Sequence, residues 1–203
     1  MLLFAHCGIP VGAIWSLNKM TAQPKFDRAR RRLYSNVSRN SISPNTTLVG
    51  TFAWIDYRLV ILGSLLPDLI DKPLGIWLLR NTLSNGRIFA HTLLFTFFMM
   101  AIGIYMHVSR RRPGVLYLSS GCVAHLCLDQ MWLNPRTLLW PVYGWSFGRE
   151  NLSNWLKINL TSVAENPSVY IAELIGAIML TIFFASIIQQ GKLYAFLKTG
   201  KAG

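Results

Sequence analysis

The chain has 203 residues, 52% of them hydrophobic and only 14% charged, too apolar a balance for an ordinary soluble domain of this length. Its formal net charge of +12 comes with no nucleic-acid-binding motif, so the basic residues are expected in cytoplasmic loops facing anionic lipid. The three cysteines, Cys7, Cys122 and Cys127, have no paired spacing and lie in apolar stretches, which excludes a disulfide framework and a CxxC metal knuckle.

Taken in chain order, residues 1–17 are apolar, contain His6 and Pro10, and lack a basic leader and a small-residue cleavage site, so they read as a retained short helix. Residues 18–47 form a basic loop with the run Arg28-Ala29-Arg30-Arg31-Arg32. The segment 48–66 is interrupted by Asp56 and Arg58; it spans with that pair facing other helices or begins only near Tyr57. The pair itself reads as an ion pair or an interfacial anchor. Residues 88–106, 115–133 and 169–188 are each about long enough to cross a bilayer core. The expected fold is all-α: one domain over 1–203, a polytopic bundle of four to five membrane helices. Residues 134–168 form an outer loop carrying Trp140, Tyr143, Trp145, Phe147 and Trp155, with an interfacial helix near Leu152 to Leu160. That loop reads as an aromatic belt, or as a lid over a site.

If 18–47, 107–113 and 189–203 share one side, they carry thirteen of the twenty Lys and Arg residues, against six on the other side. The first side is expected to be cytoplasmic. The C-terminus is then inside, and the loops after Leu66 and Leu133 are outside.

On that map His6, Asp68, Asp71, His91, His125 and Asp129, from five chain regions, fall near one depth close to the outer surface. Imidazole and carboxylate groups gathered this way suit zinc, manganese or iron. Asp68-x-x-Asp71 follows Pro67 and doubles as a helix-end signal. His125 and Asp129 are one helical turn apart, as two ligands or as a histidine held by its own carboxylate. His91 is expected in the first turn of a helix starting near Arg87. His107 lies at the cytoplasmic end beside Arg110, Arg111 and Arg112 and is excluded. The same cluster is compatible with a second class, a transporter or a metal- or proton-handling membrane protein with a non-catalytic His/Asp cluster.

The ordered set of His6, "LLPDLID", "GRIFAHTLLF", "HLCLD" and "LLWPVYGW" resembles the membrane-bound metal-dependent hydrolases, also described as YdjM-like, LexA-binding inner-membrane-associated hydrolases, over residues 1 to 147. The resemblance implies that His6, Asp68, Asp71, His91, His125 and Asp129 hold a divalent metal, most simply Zn2+, in a prokaryotic inner membrane. Gly86 stands where many members carry a second histidine. The family is itself distantly similar to zinc-dependent phospholipase C and P1-type nucleases, which implies hydrolysis of a lipid or lipid-linked phosphoester. Asp71, as ligand or general base, and Arg87, as a phosphate contact or a snorkelling arginine, are the catalytic candidates.

Overall fold

A computed structural model describes residues 3–21, 55–149, 161 and 165–202. Most of the basic loop, residues 48–54, Trp155 and the interfacial helix expected at 152–160 lie outside the described residues. Those described form helices and connecting segments, without a strand.

Helix α1 covers Leu3–Thr21, with Pro10 inside it. Helix α2, Tyr57–Lys72, starts where Asp56 stops the chain from continuing upstream as helix. The Asp56 carboxylate accepts from Arg58 N–H at 3.0 Å and pairs with the Arg58 guanidinium at 2.8 Å. Of the two readings of segment 48–66, the helical start near Tyr57 is the one seen. Tyr57 N–H donates to the Gly200 carbonyl at 2.9 Å, which ties this end to the C-terminal segment. Beyond Lys72 the helix widens into a π turn, Pro73–Leu78.

Helix α3 covers Leu93–Arg110 and α4 Gly114–Leu128. A short 3-10 turn, Met131–Leu133, and the four-residue α5, Pro135–Leu138, come next. Helix α6 covers Pro167–Gln189, and α7, Leu193–Thr199, closes the described chain. Helix α2 packs chiefly on α4, α1 on α6, and α3 on α4, with α1 also touching α2. The approach of α2 to α4 needs Gly63 and Gly121. A Cβ on Gly63 would lie 2.0 Å from the Leu118 carbonyl oxygen, and one on Gly121 would lie 2.4 Å from that of Val60.

Two expectations change here. The apolar run 88–106 is helical only from Leu93, because Thr92 caps the helix by accepting from Phe95 N–H at 3.1 Å and residues 88–91 are held as a loop. The run 115–133 is helical only to Leu128, within the 15-residue helix Gly114–Leu128, since the chain turns there. By length and composition α3 and α6 are the two described helices able to cross a membrane, and α4 is apolar but shorter.

The bundle has a polar half and an apolar half. Val11, Tyr57, Val60, Phe183, Ile187 and Phe196 form a buried apolar core toward the end where α2 begins and α3 stops. At the opposite end, where α1, α3 and α6 begin and α2 and α4 stop, the buried residues include His6, Asp71, His91 and His125. The outward faces are apolar: Phe97, Phe98, Tyr105 and Val108 on α3 and Ile171, Ile178 and Ile182 on α6 are exposed. A polar cluster buried at one end beneath apolar outward faces suits a lipid solvent.

Candidate metal centre

Each histidine of the cluster comes from a different segment: His6 from the first turns of α1, His91 from the loop before α3, and His125 from the last turn of α4. All three are buried to within 1% of full exclusion from solvent. His125 Nδ1 lies 2.6 Å from the Ser64 carbonyl oxygen and donates its hydrogen there, which leaves Nε2 as a lone-pair donor facing inward. His91 Nδ1 lies 2.7 Å from Asp71 Oδ2, with the same consequence for its Nε2. The two Nε2 atoms are 3.1 Å apart.

Asp68 and Asp129 bring the carboxylates. Asp68 Oδ1 is 3.6 Å from His91 Nε2 and 3.9 Å from His125 Nε2, and Asp68 Oδ2 accepts from Lys72 Nζ at 2.6 Å. Asp129, the residue that closes α4, sets Oδ1 3.2 Å from His6 Nε2, and Oδ2 2.8 Å from Arg87 Nε and 4.0 Å from His91 Nε2. Two overlapping groups, His6 with Asp68 and His125, and His91 with His125 and Asp129, each present ligand atoms within 4.8 Å of one another. His125 belongs to both, so the five residues form one connected centre.

The donor set fits a divalent ion. Two imidazole nitrogens bound to one tetrahedral zinc at 2.0–2.1 Å stand about 3.3 Å apart, close to the His91–His125 separation. His6 supplies the second test. Its ring is buried and stacked on that of His125, centroids 4.1 Å apart; its Nε2 faces Asp129 Oδ1 at 3.2 Å, but neither nitrogen makes a hydrogen bond of good geometry. A buried imidazole without a hydrogen bond is costly unless something else engages its nitrogen. A cation in either group would engage two of the three imidazoles, His6 with His125 or His91 with His125.

Asp71, expected as a ligand or general base, lies outside both groups and behind His91. It is fully buried, and its oxygens accept from the N–H groups of Ile88 at 2.8 Å, Ala90 at 2.9 Å and His91 at 3.1 Å, besides holding His91 Nδ1. Oδ1 accepts from Ala90, and Oδ2 from Ile88, the His91 N–H and His91 Nδ1, so Asp71 shapes the 88–91 loop and orients His91 from behind. The expected helical setting of His91 is corrected with it, since the ring projects from that loop.

Arg87, read as a phosphate contact or a snorkelling arginine, bonds Asp129 with a side chain 37% exposed. Lys72, which sequence reasoning misses, holds the same relation to Asp68 and is 35% exposed. A Lys four positions after an Asp on α2 is the available signal. Gly86 packs beside the Lys72 stem, where a Cβ would lie 3.8 Å from Lys72 Cγ. His107 sits near the other end of α3, away from the centre.

The segment after α5 adjoins the centre through Phe89, two residues before His91. Phe89 meets Trp140 and Phe147 edge to face at 5.6 and 5.1 Å, and Trp140 also contacts Trp145. Asn85 Nδ2 donates to the Gly148 carbonyl at 2.6 Å, fastening this loop to the segment that carries Arg87.

Fold and site together define a helical membrane protein with a buried histidine–carboxylate centre. Residues 36–195 match the YdjM inner membrane protein family, and the chain belongs to that family. The match takes in Asp68, His91, His125 and Asp129 and leaves His6 outside it. No curated protein and no solved structure matches the chain.

Proposed function

We propose that the protein is a membrane-embedded, metal-dependent hydrolase acting on a lipid or lipid-linked phosphoester. The observation that carries this reading is the set of three buried imidazoles gathered between two carboxylates: His91 and His125 with Nδ1 committed elsewhere and Nε2 turned inward, and His6 with Nε2 facing the Asp129 carboxylate at 3.2 Å. His6, Asp68, His91, His125 and Asp129 would hold a divalent ion, with Zn2+ the simplest fit and Mn2+ or Fe2+ compatible with the same donors. Such an ion supplies an activated water near neutral pH and polarises a phosphoryl oxygen.

The chain's own groups do the rest. Asp71 and the Ser64 carbonyl hold two of the imidazoles in the tautomer that faces the centre. Lys72 and Arg87, partly exposed and anchored on the two carboxylates, put positive charge beside the centre, which favours an anionic substrate. Exposed Trp77 and Leu78 of the π turn and Val142, Tyr143 and Trp145 of the outer loop surround this end with apolar surface at headgroup depth.

In this reading α1, α2 and α4 insert with α3 and α6, giving five membrane helices, with the centre toward the outer side of a prokaryotic inner membrane and the C-terminus in the cytoplasm. Arg110, Arg111, Arg112 and the lysines after Gln189 gather at the end away from the centre, as the positive-inside rule asks.

The test is release of headgroup or phosphate from phospholipid vesicles by the purified, zinc-loaded protein. Turnover that falls at least about 100-fold in His125→Ala, with helix content kept, is the expected result. A zinc-loaded protein that hydrolyses none of a panel of phospholipids and lipid-linked phosphates would contradict the hydrolase reading.

A further inference from the structure

Glu173 is an acidic residue inside the 23-residue apolar helix α6, and its side chain is buried. A carboxylate in such a helix is costly unless it is paired, and tends to mark a function. Its Oε2 accepts from Phe4 N–H at 3.0 Å and from Ala5 N–H at 3.4 Å. These belong to the first turn of α1, whose N–H groups have no partner within the helix and where a negative charge is favoured by the helix dipole.

His6 is the next residue. His91 has Asp71 behind its ring and His125 has the Ser64 carbonyl, but the contacts of His6, Asp129 at 3.2 Å and the stack on His125, lie on the side of the centre, and its Nδ1 has no hydrogen bond behind the ring. Its place in the centre is therefore set by where α1 stands. On the other side of His6, Gly8 lies against α6: a Cβ there would fall 1.9 Å from the Gly176 carbonyl oxygen, and one on Gly176 would fall 2.2 Å from that of Phe4. Backbone meets backbone at this contact, so α1 has no slack to slide or roll. His6 is bracketed by two fixed points, both on α6 and one turn apart there.

We infer that Glu173 is a positioning residue of the metal centre, which sets His6 against His125 by anchoring the first turn of α1 from the neighbouring helix. The inference rests on the metal-centre reading. It gives α6, which contributes no ligand, a part in building the site, and it explains how a histidine with no hydrogen bond behind its ring keeps one position.

The experiment measures zinc affinity of the detergent-purified full chain by chelator competition. Glu173→Met, of similar size but with no strong acceptor, is expected to bind zinc about 10–100-fold more weakly. Glu173→Gln keeps an acceptor oxygen for Phe4 and Ala5 and is expected to stay within about threefold of the wild type. On a His6→Ala background, Glu173→Met should change the affinity by less than about threefold, because the ring that it positions is gone.

Unchanged zinc binding in Glu173→Met, or the full further loss on the His6→Ala background, would overturn the inference while leaving the metal centre standing. A Met variant that no longer accumulates as folded protein would also overturn it, by making Glu173 a requirement of folding. Wild-type protein that binds no zinc would remove the metal centre itself, and the inference with it.

Discussion

Asp68 and Asp71 are three positions apart on α2, yet their carboxylates take different partners. Asp68 faces the histidines with one oxygen and Lys72 with the other, whereas Asp71 spends both on the 88–91 loop. Residue type and spacing make the two equivalent in the sequence, and only the path of a loop 17 to 20 positions later separates them. Asp71→Asn would turn an amide NH2 toward backbone N–H groups, leaving buried donors unpaired and freeing His91 to rotate. It is expected to cost roughly 2–4 kcal/mol of stability, read as a lowered melting temperature, with zinc loss arising from the misplaced ring. Asp68→Asn should lose zinc with a much smaller change in melting. An Asp71→Asn protein that melts like the wild type yet loses zinc as fully as Asp68→Asn would return Asp71 to the ligands.

The helices are legible in the sequence where hydropathy alone decides them. Residues 169–188 read as helical and α6 covers them, because a single Glu173 is all that interrupts their apolar run before Gln189. The start of α3 is not legible in the same way: Ile88, Phe89 and Ala90 are as apolar as Leu93, Leu94 and Phe95, and they stay out of the helix because Asp71 takes the backbone N–H groups of Ile88, Ala90 and His91. Likewise the spacing of Asp129 from His125 places it within a helix, one turn on. It does accept the helical position, with its N–H donating to the His125 carbonyl at 2.9 Å, but it is the closing residue, and its side chain is thereby directed toward His6 and Arg87. The contribution of α6 to the centre has no local signal, since a single Glu in an apolar run does not say which backbone it will meet.

At the scale of the whole molecule, the five principal described helices alternate in direction so that every residue of the centre comes to one end, while Arg58, Arg110 and the lysines after Gln189 come to the other. Charge bias along the sequence anticipates this separation. In a background with Cys7, Cys122 and Cys127 replaced, Trp77→Cys should react with a membrane-impermeant maleimide added outside intact spheroplasts, and Arg111→Cys only after permeabilisation; the reverse pattern would invert the orientation. The central claim concerns the ion itself, and metal content of the purified protein tests it most directly. Near-stoichiometric zinc, manganese or iron that disappears in a folded Asp68→Asn, His125→Ala double variant is the predicted result. Wild-type protein that stays free of metal in metal-containing buffer would contradict it and return the three histidines to a structural or proton-relay role.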